Sequence, residues 1–399
     1  MNYNPVRCTP LSELENRAAR FQELLRGKDL DGAIIIQNAD LFYFAGTIQR
    51  SHLFIPAEGE PALMVRKNYD RAVLESKLKN IYSLASIRGL LGELEFHGGN
   101  KLKRVGLELD VLPANLYFYY RKLLEPVEIV DISDMVRQVR AVKSPYEIGV
   151  IKEAAKLNHS MFSHVKEFLH EGITEVELAG KLESVYRAGG HQCFTRTRIF
   201  NFESAYGHLM SGWNLAVPSF LDSPLGGSGL NPSFPQGAGF KVIGRDEPVM
   251  VDYVGVLDGY MVDQARVFCI GQLPPKMTMA YELSVEIQDF VKNIAKPGVL
   301  CSELYESAVR IASQHGLKEC FMGFPEPVAF IGHGLGIELD ELPVIARGFN
   351  MPLKEGMVFA MEPKFVFPEG AVGIENTFVV TPEGLENLTV FDESIGFLP

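Results

Sequence analysis

The chain has 399 residues, of which 47% are hydrophobic and 22% charged, and it carries a formal net charge of −12. That length predicts two or three domains with sizeable cores, and the composition excludes a disordered chain. The acidic balance argues against a general binder of nucleic acid or anionic membranes, because nothing would neutralise phosphates.

The N-terminal stretch MNYNPVRCTPLSELENR has no apolar core of signal-peptide length, and no run of about 18 apolar residues occurs anywhere. No membrane association is expected, and the protein reads as cytoplasmic. Cys8, Cys193, Cys269, Cys301 and Cys320 are widely spaced and contain no CxxC pair. Neither a thiolate zinc site nor a disulfide framework is expected, which fits a reducing compartment.

Residues 11–27 (LSELENRAARFQELLRG) predict an amphipathic helix closed by Gly27. Apolar runs at 33–36, 52–55 and 62–65, then RVGLELD (104–110) and VEIVDIS (127–133), predict strands. This first part reads as a small α/β domain without clustered acids and histidines.

Ser144-Pro145-Tyr146-Glu147 predicts a helix start with a capping box and proline at the first helical position, opening a helix to about 169. Thr174 and Glu177 form a second capping box, and that helix should stop at Gly189-Gly190. Gly172-Ile173 before Glu177-Leu178 is echoed by Gly298-Val299 before Glu303-Leu304. Each echo lies in a helical pair followed by an apolar hairpin bearing two acids, at 249–268 and 357–380. Internal duplication and chance similarity of helix starts both remain open on this evidence.

In the first hairpin, Asp258-Gly259 is a two-residue turn signal. It pairs 252 with 265 and 254 with 263, which puts Asp252 and Asp263 on one face as diagonal neighbours. Carboxylates held together among Val, Met, Tyr and Phe repel, and a divalent cation removes the repulsion. In the second hairpin, Pro368-Glu369-Gly370 makes the turn and Glu362 and Glu375 flank it. A fifth group, His333, sits between glycines in FIGHGLG (330–336). A lone acid in a strand is ordinarily a solvated residue, and a lone Gly-His-Gly is ordinarily a turn. The residues by themselves leave a metal site and two acid-bearing hairpins both open.

These residues closely resemble the pita-bread metallopeptidases of the creatinase/prolidase type, which include prolidase, Xaa-Pro aminopeptidase and methionine aminopeptidase. The family pattern is matched by Asp252, Asp263 eleven residues on, His333, Glu362-Pro363, and Glu375 thirteen residues later. Asp258-Gly259-Tyr260, Arg266, Gly356-Met357, Arg140, Lys143-Ser144-Pro145 and Glu147 match as well. The resemblance implies an α/β (α+β) chain. A creatinase-type N-terminal domain would take 1–143, and a pita-bread domain with pseudo-twofold duplication would take 144–399. It implies two divalent ions (Mn, Co, Fe or Zn). Asp252 and Asp263 would chelate one, Asp263 and Glu375 would bridge, His333 and Glu362 would complete the other, and Glu362 would shuttle the proton of the attacking water.

Two histidines of those peptidases are replaced. Asp340 stands seven residues after His333, and Gln236, in Pro235-Gln236-Gly237, stands about seventeen before Asp252. An anion at 340 would favour an amine-bearing substrate. His208 could stand in for a missing histidine. The loop 223–239 (SPLGGSGLNPSFPQGAG) is either a surface loop or a wall of the pocket. The leading expectation is a dinuclear metal-dependent hydrolase of Xaa-Pro peptidase type (aminopeptidase or dipeptidase) acting on small peptides, with a homodimer implied by the family. The alternative is a non-peptidase hydrolase or lyase acting on a small amine-containing metabolite at the same site. A catalytically inactive binding protein is disfavoured by retention of all five ligand residues.

Overall fold

The computed structural model describes residues 7–99 and 101–399. The first six residues of the stretch read above for a leader lie outside them. The chain divides into two compact units, one reaching to Arg140 and including Arg198–Phe200, the other Ala141–Thr197 with Asn201–Pro399.

The first unit runs α1 (Leu11–Arg26), β1 (Gly32–Ile35), α2 (Asn38–Ala45), β2 (Ser51–Pro56), β3 (Ala62–Val65), α3 (Tyr69–Glu75), β4 (Asn80–Ser83), α4 (Leu90–Gly98), β5 (Arg104–Leu107), α5 (Ala114–Leu123), β6 (Glu128–Asp131) and α6 (Ser133–Ala141). The apolar runs read as strands are strands, and Gly27 caps α1. They form one mixed sheet in the order β4-β3-β2-β1-β5-β6. Its core gathers Ile34, Phe54, Met64 and Val105 with Leu90 and Leu94.

The second unit opens with α7 (Pro145–Phe162), α8 (Val165–Phe168), α9 (Glu175–Ala188), β7 (Gly207–Ser211), β8 (Val249–Leu257) and β9 (Tyr260–Ile270). It continues through α10 (Pro275–Ile294), α11 (Cys301–Gln314), β10 (Phe330–Gly334), β11 (Glu341–Ala346), β12 (Val358–Met361), β13 (Lys364–Phe367), β14 (Gly370–Gly373), β15 (Asn376–Thr381), β16 (Gly384–Asn387) and β17 (Gly396–Leu398). Both capping boxes form, at Ser144/Glu147 and at Thr174/Glu177. The helix expected to reach 169 instead breaks after Phe162. There Ser163 Oγ donates to the His159 carbonyl, and a ring nitrogen of His164 bonds the Ser160 carbonyl. Side chains that compete for helix carbonyls loosen the turn they bind.

The duplication is visible in the order of elements. A helix pair precedes β8 and β9 in the first half, and another precedes β12 and β15 in the second. The second hairpin differs from its expected form. β12 pairs with β15 as far as Met361 opposite Asn376, while β13 and β14 form a separate ribbon. Pro363 has no N–H to continue a ladder, so Glu362 and Glu375 fall in the gap between the two pairings. The hairpins of the two halves are joined at that gap by a bridge between Ala265 and Glu375.

A buried ion pair fixes the loop before β11. Lys143 Nζ lies 3.0 Å from Glu341 Oε2, with side-chain exposures of 1% and 5%. The other Glu341 oxygen accepts from the backbone N–H groups of Ile337 and Glu338. Breaking a buried pair leaves an uncompensated charge. Lys143→Met should therefore lower the unfolding free energy by about 3–5 kcal/mol in urea titration. A loss below about 1 kcal/mol would match a solvent-screened pair and contradict the burial.

Candidate metal centre

The turn at Asp258-Gly259 takes φ values of +48° and +84°, the left-handed pair that suits a two-residue hairpin turn. It sets Asp252 opposite Ala265 and Val254 opposite Asp263. The two acids are thus diagonal neighbours on one face, as the sequence predicts. Asp263 is anchored at its backbone. Its N–H donates to Thr377 Oγ1, whose hydroxyl donates back to the Asp263 carbonyl.

Glu375 is held by the bridge to Ala265 and by Arg266. That buried guanidinium donates to the Glu375 and Ala265 carbonyls and to Asn376 Oδ1. The Glu362 N–H donates to the Ile331 carbonyl, which ties the kink to β10. Asp252, Asp263, Glu362 and Glu375 are each at most 8% exposed. Burial, reinforced by neighbouring carboxylates, pushes Asp263 and Glu375 well above the ordinary carboxylate range.

His333 reaches the acids because its neighbours lack side chains. A Cβ at Gly332 would lie 2.4 Å from the Ala360 carbonyl oxygen, and one at Gly334 would lie 2.4 Å from the Leu342 carbonyl oxygen. His333 Nδ1 is 2.9 Å from the Leu339 carbonyl oxygen, so that nitrogen carries the donated hydrogen. Nε2 faces the acids, 3.9 Å from Asp263 Oδ2 and from Glu362 Oε1, and in the neutral ring it carries the lone pair. Burial opposes a charge on the ring, but Asp340, Glu362 and Asp263 outweigh it and raise its pKa.

A sixth group stands among the five. Lys364, on β13 and 2% exposed, places Nζ 3.1 Å from Asp252 Oδ2, 2.7 Å from Glu362 Oε2 and 2.8 Å from Glu375 Oε2. Burial works against its charge, and the three carboxylates more than offset that, holding the ammonium well above the ordinary lysine value. The sequence reading passed over it. The available signal was its spacing, since residues two apart on a strand share a face and Lys364 follows Glu362 by two.

The cavity beside the acids has a volume of about 90 Å³. Asp252, Asp263, His333, Glu362 and Glu375 all line it, as do Gln236, Asp340 and His208. The Gly/Pro/Ser-rich loop is a wall of this cavity through Ser223, Phe234 and Gln236. Buried Glu175 pins that wall by accepting from the Ser211 N–H and hydroxyl, the Asn214 amide and the Gly239 N–H. His208 donates from Nε2 to the Gly226 carbonyl, 2.9 Å away, and burial lowers its pKa. Gln236 Oε1 and Asp340 Oδ2 are buried acceptors without a hydrogen-bond partner among the described residues.

Within this frame, one oxygen each from Asp263 and Glu375 and a ring nitrogen of His333 lie within 4.8 Å of one another. Two carboxylate oxygens and a neutral imidazole form a donor set that suits Mn, Co, Fe or Zn. The cluster could hold a metal ion.

The model of metallopeptidase family M24 matches residues 149–382, and that of the creatinase/prolidase N-terminal domain matches residues 17–142. The chain belongs to metallopeptidase family M24, a metal-dependent family, with the N-terminal domain of its creatinase/prolidase branch. It is 26% identical over 379 residues to a Xaa-Pro dipeptidase of Pyrococcus horikoshii, covering 94% of this chain and 97% of that one. Its structure is similar to that of the prolidase from the same organism, with a TM-score of 0.79 at 25% identity and coverage of 94% and 99%. A Xaa-Pro dipeptidase from Bacillus anthracis shares the fold, with a TM-score of 0.82 at 23% identity and coverage of 96% and 100%. No helix among the described residues is long and apolar enough to cross a membrane.

Replacing a group that ligates directly should cost more than the roughly 10–100-fold that outer-shell changes cost. Asp263→Asn is expected to weaken Mn²⁺ binding by more than that factor in calorimetric titration. Unchanged affinity would remove Asp263 from the ligand set.

Proposed function

We propose that this chain is a metal-dependent hydrolase of small peptides, acting at bonds of the Xaa-Pro type. The observation that carries this reading is the convergence of Asp263, Glu375 and His333 Nε2 beside Glu362, on the wall of one small cavity. A divalent ion bound there supplies Lewis acidity toward a carbonyl and toward water.

The chain's own residues do the rest. His333 is fixed in tautomer and direction by the Leu339 carbonyl. Glu362 has one oxygen engaged by Lys364, and the other faces His333 across 3.9 Å. In this reading, that second oxygen takes the proton as the water oxygen bonds to the substrate carbonyl carbon. It returns the proton to the nitrogen as the C–N bond breaks. Asp340 and Gln236 present acceptors to the cavity, which suits N–H groups of the substrate, its amino terminus first. His208 is a fixed neutral donor to the Gly226 carbonyl and lines the pocket. The reading includes Mn, Co, Fe or Zn as the ion and a cytoplasmic homodimer.

A second reading is favoured by one pair of observations. Gln236 and Asp340 stand where the resemblance expects histidines, and each leaves a buried acceptor unsatisfied. Such a pocket suits a small amine-containing metabolite undergoing hydrolysis or elimination.

Hydrolysis of a panel of Xaa-Pro dipeptides and longer Xaa-Pro peptides separates the two, with Glu362→Ala as the blank. Cleavage that falls to background in the blank is expected. No cleavage by protein with bound metal would favour the second reading. Asp340→Ala should reduce kcat/KM for a free-amine substrate at least tenfold more than for its N-acetyl counterpart, about 1.4 kcal/mol of differential binding. Equal losses would show that Asp340 does not read the amine.

A further inference from the structure

We propose that this centre takes one divalent cation, on Asp263, His333 and Glu375, and that the Lys364 ammonium occupies the place of a second between Asp252, Glu362 and Glu375. The proposal rests on the metal-centre part of the function proposed above, and not on which bond is cut.

Three observations carry it. The first is the match of donors to acceptors. An ammonium has three N–H donors and no acceptor. Nζ of Lys364 has carboxylate oxygens of three different residues within 3.1 Å. Each donor has one anionic partner, so the group is satisfied as a cation at a site built from anions.

The second is the division of the acids. Asp252 is absent from the cluster of groups whose ligand atoms converge, which consists of Asp263, His333 and Glu375. Asp252 Oδ2 instead accepts from Lys364. Paired ions in two-metal hydrolases lie about 3.5–4 Å apart and share carboxylates. Here the shared carboxylate is Glu375, with Lys364 on one side and the Asp263–His333 pair on the other. A second ion would bind carboxylate oxygens at about 2.0–2.2 Å. On Asp252 and Glu375 it would crowd an ammonium that already lies 3.1 and 2.8 Å from those two acids. Like charges that close, without water between them, exclude one another.

The third is that the lysine is built in. Its strand partner is Gly373. A Cβ at Gly373 would lie 2.7 Å from both Cα and Cγ of Lys364. The Lys364 carbonyl accepts from the Met322 N–H at 2.9 Å. The stem is therefore packed in a slot that only glycine leaves open. The buried stem thus delivers Nζ to the three carboxylates from a fixed stretch of backbone.

The test is the number of ions bound. Protein stripped with chelator and dialysed against Mn²⁺ is assayed for metal per chain by plasma mass spectrometry, and for Mn(II) by electron paramagnetic resonance. The expected wild-type result is one equivalent with the resolved spectrum of an isolated ion. Lys364→Gly, checked for folding by circular dichroism, is expected to take up a second equivalent and give an exchange-coupled spectrum. Two equivalents with coupled spins in the wild-type protein would overturn the proposal. So would a folded Lys364→Gly that still binds one. If that variant does not fold, the wild-type stoichiometry and spectrum decide alone. No bound ion would overturn both the proposal and the metal-dependent reading. One bound ion without any Xaa-Pro cleavage would overturn only the peptidase reading.

Discussion

Four carboxylates meet in an interior where none is more than 8% exposed. Left to themselves they would repel one another and take up protons, because a buried anion is costly without a partner. The positive charge that permits the arrangement comes from Lys364 and, in the function proposed, from an ion held by Asp263, His333 and Glu375. The scaffold around them serves to bring the acids together in spite of that cost. Two hairpins from the two halves of the unit meet at the Ala265–Glu375 bridge. Arg266 lies under the junction and donates to backbone carbonyls on both sides of it. Its contacts go to main-chain carbonyls and to the Asn376 side-chain oxygen, so it fixes position while leaving the carboxylate oxygens of the site unused.

The walls of the cavity are fixed by the same device at two places. Glu341 receives Lys143 and two backbone N–H groups, which sets the loop that ends in Asp340. Glu175 receives four donors, which sets the glycine-rich loop that carries Gln236. In each case a buried carboxylate organises main chain that has no regular ladder of its own. Gln236 and Asp340 therefore sit on loops whose main chain is held by buried carboxylates.

Much of this is legible in the sequence, for identifiable reasons. Asp258-Gly259 dictates one turn, and that turn dictates the register, so the Asp252–Asp263 diagonal follows from local rules. The two capping boxes follow in the same way. The kink at Glu362-Pro363 was less accessible. Pro363 signals the loss of a ladder bond, but the split of one expected hairpin into two pairings depends on β10 lying beside β12. Lys364 could have been found from its two-residue spacing to Glu362. A lysine on an apolar strand ordinarily reads as an edge residue, and only the convergence of Asp252 and Glu375 from distant strands gives it three acceptors. The pinning roles of Glu175 and Glu341 have no local signature. The Glu175 partners and the Lys143 that meets Glu341 lie across tertiary contacts that no periodicity encodes, and only the Ile337 and Glu338 N–H groups are near Glu341 in the chain.

The departures at 236, 340 and 364 act together on charge and on proton traffic. Where the resemblance expects two imidazoles, this chain has a neutral amide and a carboxyl, and burial raises the pKa of that carboxyl. His208, which lines the pocket beside His333, has its pKa lowered by burial, and its donor is committed to Gly226. In the function proposed, proton movement then falls on Glu362 alone, and Lys364 fixes one of its two oxygens. Four ionised carboxylates against one divalent ion and one ammonium leave one negative charge uncompensated. A second divalent ion in place of the ammonium would leave none. A residual anion in a small cavity, next to the unpaired acceptors of Asp340 and Gln236, attracts a cationic group on whatever enters. Substrate charge and ion count are therefore linked in this site. In the one-ion site proposed, the lysine that takes the place of an ion would also favour an amine, and a site holding two ions would lose part of that preference.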